Sequence, residues 1–279
     1  SAASDVYKRQ IYDRPNVIYY KGRLPSDDVK SVAVVGSRNC SEYGRSVAME
    51  LGRVLATAGA QVISGLALGI DVAAHQGAVL AGGTTFAVLA GGVDLCYPKQ
   101  NFNTYVDIMR NGGVISEFPD NTLTRPGMFP LRNRIISGLC DAVIIVEAGM
   151  KSGSLITAAQ ALEQNRQVYA VPGRIGDGNS EGCNHLIWQG AQIVCSYDDL
   201  LAELDLDISD STKTSEKNIL LASDEKMLYS QLLDFSPKSL ETLIKETGMS
   251  QMQVFQALLT LELKGLIKEI SKNFYIRIL

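Results

Sequence analysis

VAVVGSRNCSEYGRSVAMELGRVLATAG, Val32 to Gly59, runs from a β-branched apolar segment through a glycine turn into a segment with helical apolar spacing. Strand, turn and helix in that order form the first half of a βαβ unit. Gly36 lets the backbone come close to a ligand. A dinucleotide-binding turn would continue with further glycines; here Ser37 and Arg38 stand in their place. Ser37 can donate its hydroxyl or cap the next helix, and the Arg38 guanidinium has the fork geometry that suits phosphate. An ordinary turn with a surface arginine is the alternative reading of these residues.

Outward from this unit the alternation repeats. SVAVVG, AQVISG, TTFAVLA, GVISE, DAVIIVEA, QVYAVPG and QIVCS read as strands. EYGRSVAMELGRVLATAG, DVAAHQGAVLAG, NTYVDIMRNGG, RNRIISGLC, SLITAAQALEQN and CNHLIWQG read as the helices between them, several ending in a glycine cap. The near-continuous apolar run DAVIIVEA fits a strand covered on both faces. The fold class is therefore α/β over residues 11–204: an extended Rossmann-like parallel or mixed sheet with helices on both faces. Residues 1–10, SAASDVYKRQ, show no periodicity and are expected to be a disordered leader. Asp205 to Asn218, DLDISDSTKTSEKN, is polar and reads as a linker. In 219–279 a helix around Ser223 to Leu233 precedes two helical stretches on either side of TGMS, then short strands at LIKEI and FYIRIL turned by SKN. That order makes a small C-terminal winged-helix domain.

A chain of 279 residues holds one large core and a second small one. The net charge of −4 argues against a uniformly basic nucleic-acid binder, yet a local basic groove on an acidic body remains compatible with it. No run approaches the roughly 18 apolar residues of a membrane span, and no signal peptide opens the sequence, so a cytoplasmic location is expected. Cys40, Cys96, Cys140, Cys183 and Cys195 form no CxxC pair and join no histidine cluster, so neither a metal site nor a disulfide framework is expected. A P-loop and a G-x-S-x-G nucleophile elbow are both absent.

In an open α/β sheet ligands bind beyond the carboxyl ends of the strands, so the unusual loops are expected on one rim. SGLALGID, Ser64 to Asp71, has two glycines, and Asp71 is expected to cap the next helix. LAGGVDLCYPKQN brings Lys99, either a phosphate contact or a solvated loop charge. TRPGMFPLRNRIISGL places Arg125, Arg132 and Arg134 around Phe129 and Asn133. Arginines that track phosphates and an aromatic face that stacks a base make a single-strand-binding combination, with at least one arginine expected to be structural. Ser152, Gly153 and Ser154 open a helix after a buried strand and offer backbone amides to a phosphate or hydroxyls as caps. Glu147 is expected to partner a basic loop residue, and His75 and His185 to be structural or hydrogen-bonding.

Taken together, GSR, SGLALGID, AGGVDLCYP, FPLRNRIISGL, VEAGMKSGSLITAAQAL, YAVPG and GCNHLIWQGA occur in the order and spacing of the bacterial DNA-processing protein A family, DprA or Smf, which this chain resembles from Ile11 to Leu204. Its tail is similar to the winged helix of many members, while the small N-terminal helical domain that many carry is expected to be missing. The resemblance implies a cytoplasmic, homodimeric single-stranded DNA-binding protein with no catalytic reaction and no cofactor. It implies protection of incoming strands in natural transformation and loading of the recombinase RecA, with displacement of single-strand-binding protein. Carried over, Arg38 and Lys99 contact phosphates and a base packs near Phe129. Where the family often has a basic residue three positions before that phenylalanine, this chain has Pro126, beside Arg125.

Two competing readings concern other classes. In a nucleotide-processing enzyme of the phosphoribohydrolase type, Glu147 would act on a nucleotide monophosphate held by Arg38 and Ser154, although the PGGxGT signature of those enzymes has no close match. In a duplex-reading factor the wing would read a major groove, but SQMQVFQALLTLELKG has no Lys or Arg before Lys264, and such a helix needs phosphate-neutralising groups. A partner-binding or weakly duplex-binding wing is the expectation.

Overall fold

The computed structural model describes residues 11–206, 222–232, 238–271 and 273–277. The expected leader over 1–10, most of the expected linker and Lys272 of the expected hairpin turn lie outside the described residues. The chain divides into two compact units on either side of residue 210.

The first unit is built on strands β1 (Tyr19–Gly22), β2 (Ser31–Val35), β3 (Gln61–Ser64), β4 (Thr85–Val88), β5 (Gly113–Ser116), β6 (Ala142–Ile145), β7 (Gln167–Ala170) and β8 (Gln192–Ile193). Its helices are α1 (Glu42–Thr57), α2 (Ile70–Leu80), α3 (Phe102–Asn111), α4 (Met128–Gly138), α5 (Gly153–Glu163), α6 (Glu181–Trp188) and α7 (Tyr197–Glu203). The strands form one sheet in the order β1-β5-β4-β3-β2-β6-β7-β8. All neighbours are parallel except β1, which runs antiparallel on β5 with Tyr19 opposite Ser116. The sheet is thus mixed, as the alternation of apolar runs and helices allowed.

Successive side chains of a strand point to opposite faces, and β2 shows what that does to its sequence. Val32 and Val34 pack with Leu51 and Leu55 of α1, Ala73 and Ala74 of α2, and Leu200 of α7. Ala33 and Val35 pack on the other face with Ile135 of α4, Ala158 of α5 and Cys183 of α6. Both faces are dry, so no polar alternation survives in SVAVV. Helix α1 starts where Ser41 accepts a hydrogen bond from the Gly44 amide (3.0 Å), and Ser37 leaves that capping role to it. Gly59, at φ +83°, follows the end of α1 in left-handed backbone.

One feature of the order positions everything that follows. Strands β3, β4 and β5 extend from one side of β2, and β6, β7 and β8 from the other. The connections leaving β2 and β6 therefore diverge and open a crevice at the carboxyl ends of these two strands.

The second unit holds α8 (Ser223–Gln231), β9 (Lys238–Ser239), α9 (Leu240–Thr247), α10 (Gln251–Leu263), β10 (Ile267–Ser271) and β11 (Phe274–Arg277). Its small sheet has the order β10-β11-β9, and Leu228, Leu243, Val254, Leu258 and Leu261 form its core. Gly248 (φ +66°) ends α9, and Ser250 with Gln253 makes a capping box at the start of α10. This is a winged-helix arrangement. The two-residue β9 and the seven-residue α7 are additions to the sequence reading, both too short to leave a periodic signal.

Candidate functional site

The Gly36–Arg38 turn leaves β2 and is held from two sides. The Ser37 amide donates to the Glu147 carbonyl (2.7 Å) beyond β6, and the Ser37 carbonyl accepts from the Ile70 amide (3.2 Å) at the start of α2. A Cβ on Gly36 would stand 2.7 Å from Ile70 Cγ1, so glycine is required for this approach. Ser37 Oγ accepts from the Asn39 amide (3.2 Å), which leaves its proton to donate. Arg38 is exposed, and its guanidinium lies 4.4 Å from the centroid of the Phe129 ring, a cation–π contact. Tyr97 stands beside that ring, with centroids 6.2 Å apart and the planes tilted by 45°. Phe129 is only half-buried, so this aromatic pair has a solvent face.

Lys99 is exposed at the head of a short 3-10 turn, Lys99–Asn101. The Asn101 amide group donates to the carbonyls of Leu66 (2.9 Å) and Ala67 (3.2 Å), which anchors the lysine turn to the SGLALGID loop. Arg38, Leu68, Tyr97 and Phe129 border a small cavity of about 60 Å³ there.

The three arginines around Phe129 part company. Arg125 is exposed. Arg134 is buried and forms ion pairs with Glu117 (2.7 Å) and Asp13 (3.0 Å), a structural role. Arg132, only 4% exposed, donates through Nη1 to the Gly65 carbonyl (2.7 Å) and to the Val88 carbonyl. Burial draws its pKa down to about 10, against the pull of the Asp71 carboxylate and with a further push from Arg38; it stays cationic at neutral pH. Asp71 sits in the first turn of α2 without capping it. Its Oδ2 instead accepts from the Gly65 (3.1 Å) and Ala67 (3.4 Å) amides, so it shapes the loop, and burial pushes its pKa up. Asn133 donates to the Gly153 carbonyl (3.3 Å) and ties α4 to the start of α5.

At that start Ser152 is the cap: its Oγ accepts from the Ser154 amide (3.3 Å) and lies 2.8 Å from Ser154 Oγ. Gly36, Arg38, Arg132 and Ser152 to Ser154 all line one groove of about 390 Å³ in the β2/β6 crevice. Lys151 lines it as well. This lysine lies in the VEAGMKSGSLITAAQAL stretch but is not among the expected site residues, although a positive charge just before a helix N-terminus, itself the positive end of the dipole, is a misfit that signals an anion.

Glu147 corrects an expectation. Among the described residues it partners no basic residue: its buried carboxylate accepts from the Ser41 amide (2.9 Å) and the Ser41 hydroxyl (2.5 Å), and a Cβ on Gly44 would stand 2.4 Å from it. Both oxygens serve the α1 cap and neither faces the groove, which removes the acting group from the phosphoribohydrolase reading.

The family model for DNA recombination-mediator protein A matches residues 5–205, and that for the DprA winged helix domain matches 213–271. The chain belongs to the DNA recombination-mediator protein A family. It is 46% identical over 196 residues to the DNA processing protein DprA of Streptococcus pneumoniae, covering 70% of this chain and 69% of that protein. It is 35% identical over 284 residues to Protein Smf of Escherichia coli, covering 98% and 75%. The solved DprA of Streptococcus pneumoniae superimposes with a TM-score of 0.65 at 44% identity, over 71% of this chain and 69% of that one. DprA of Helicobacter pylori, whose structure concerns its single-stranded DNA binding mode, gives 0.65 at 30% identity over 71% and 91%.

In the winged helix of this DprA-family chain, Met252, Phe255, Leu259 and Leu263 of α10 are exposed, an apolar stripe at helical spacing. The first basic residue after them, Lys264, is paired at 2.6 Å with the buried Glu225.

Proposed function

We propose that this chain binds single-stranded DNA along the carboxyl rim of its large sheet, protects it, and loads RecA onto it during natural transformation or related recombination, without catalysing a reaction. The observation that carries this reading is the exposed Arg38 guanidinium stacked on a half-exposed Phe129 that Tyr97 flanks. It supplies phosphate contact and base platform side by side, the two parts of sequence-tolerant strand binding. Lys99 and Arg125 extend the strip; Arg132, Asn133 and Ser152 to Ser154 form its inner end; Arg134 serves the fold. The similarity to DprA of Helicobacter pylori, whose structure concerns its single-stranded DNA binding mode, supports strand binding as the activity. The protein acts as a cytoplasmic homodimer, and it assists the displacement of single-strand-binding protein. The uncharged α10 stripe suits a protein partner better than a DNA groove.

Fluorescence anisotropy with oligo-dT at moderate salt tests the strip. Arg38→Ala and Lys99→Ala are each expected to weaken binding about ten-fold and to lower the salt slope by about one unit per lost phosphate contact. Unchanged affinity and slope in both variants would place the strand elsewhere.

A further inference from the structure

We propose that the β2/β6 crevice is an end-seat: it takes the terminal monophosphate of a nucleotide, on a strand or free, in preference to an internal phosphodiester. The inference rests on the strand-binding reading above and adds to it which part of a strand the inner site selects.

The first observation is the start of α5. An eleven-residue helix aims its positive end at the groove, with Lys151 immediately outside the Ser152 cap. Two like-signed features side by side are stabilised by an anion between them. Nothing stands within 4 Å of where a Cβ on Gly153 would lie, so a ligand can approach the backbone of this turn.

The second, independent observation is Arg132. It also lines the groove, is 4% exposed, and its buried Nε has no hydrogen-bond partner among the described residues. Nη1 goes to two carbonyls, which are neutral acceptors. Asp71 bonds to loop amides and so does not take up the remaining donors. A guanidinium held in a dry wall without a hydrogen-bonded anion is a costly arrangement on its own, and Arg132 is part of the lining of a groove where an anion can be supplied.

Charge then selects the kind of phosphate. Arg38, Arg132 and Lys151 contribute three positive charges to the groove lining and Asp71 removes at most one, so at least two remain. An internal phosphodiester carries one negative charge, whereas a terminal monophosphate carries about 1.5 to 2 at neutral pH. The groove of about 390 Å³ also falls at the small end of ligand sites, the size for one nucleotide. Pro130 and Ile156 give it apolar walls. Arg38 and Phe129 border both this groove and the small cavity beside Tyr97, so a seated end continues onto the aromatic strip.

The test uses the full chain and three dT oligonucleotides of one length: 5′-phosphorylated, 3′-phosphorylated, and hydroxyl at both ends. Anisotropy is expected to show one phosphorylated end binding about ten-fold tighter than the hydroxyl form, and which end does so identifies the strand's direction. Lys151→Ala, an exposed site, should erase that gain, so that the phosphorylated and hydroxyl forms bind the variant equally. Equal affinities for all three oligonucleotides, or a phosphate gain that persists in Lys151→Ala, would overturn the end-seat. Calorimetry with free thymidine 5′- and 3′-monophosphate separates the two readings. Binding of a mononucleotide lost in Lys151→Ala, with no oligonucleotide binding, keeps the seat and sinks the strand reading. Oligonucleotide binding that falls in Arg38→Ala but ignores end phosphates does the reverse.

Discussion

Replacing Gly77 with leucine is expected to cost the first unit about 3 kcal/mol or more, because the change drives a side chain into backbone. Helices α1 and α2 cross with their main chains in contact. A Cβ on Gly77 would stand 1.9 Å from the Met49 carbonyl oxygen and 3.0 Å from the Arg53 amide nitrogen, and one on Gly52 would stand 2.0 Å from the Ala74 carbonyl oxygen. No rotamer change relieves such contacts, since the obstructing atoms belong to the partner helix itself. The helices would have to separate, and Leu51, Leu55, Ala73 and Ala74 would lose their packing on β2. For a domain of this size the melting temperature should fall by about 6 to 12 °C. Gly127→Ala is the matched control, with φ −66° and nothing within 4 Å of the added Cβ. Calorimetric melting that leaves Gly77→Leu within about 2 °C of the control would show that the crossing is looser than described.

These glycines also mark where a single sequence stops being readable. DAVIIVEA announced a doubly covered strand because β6 packs Ala142 and Ile144 on one face and Val143 and Ile145 on the other. The glycines of α1 and α2 leave no such mark in the sequence, since what they accommodate is another helix. The α7 segment and β9 were hidden by shortness. At the site, the rim loops were legible because each leaves a strand at the same end of the sheet. Their pairings were not. Arg38 meets Phe129 through the strand order, which places β2 beside β6, and local spacing carries no trace of that. Arg132 and Arg134 looked equivalent in FPLRNRIISGL, yet two residues turn a helix by about 200°. One guanidinium therefore reaches the Gly65 carbonyl while the other reaches Glu117. The sequence contains both arginines, and only the packing of α4 divides their labour. Lys151 differs in kind: its signal was local, a cation at the wrong end of a helix dipole, and was there to be used.

Acid should expose a second buried cost. His75 is fully buried on α2, and its Nδ1 lies 2.7 Å from Thr85 Oγ1. The Thr85 hydroxyl donates to the Val62 carbonyl (2.8 Å), so its oxygen is the acceptor and His75 Nδ1 carries the proton. Nε2 is then the site a second proton must take, and it is buried without a partner among the described residues. Desolvation, with a smaller push from the Arg132 charge, lowers the His75 pKa from 6.5 to about 3. Because the folded value lies below the unfolded one, the unfolded chain takes up the proton first. The stability held by neutral His75 is complete above pH 6.5 and drains as the pH falls from 6.5 toward 3. At about 1.4 kcal/mol per pH unit for one proton, the whole window is worth on the order of 4 to 5 kcal/mol. Asp71 acts with the opposite sign, since burial raises its pKa and acid relieves it; that contribution is shared by a His75→Gln variant and cancels in the difference. Urea unfolding of both proteins between pH 7 and pH 4 should therefore show the wild-type advantage shrinking by about 1.4 kcal/mol per unit below pH 6. A difference that stays flat across that range would mean that His75 takes up its proton as readily in the fold as in the unfolded chain, and that its burial costs the cation nothing.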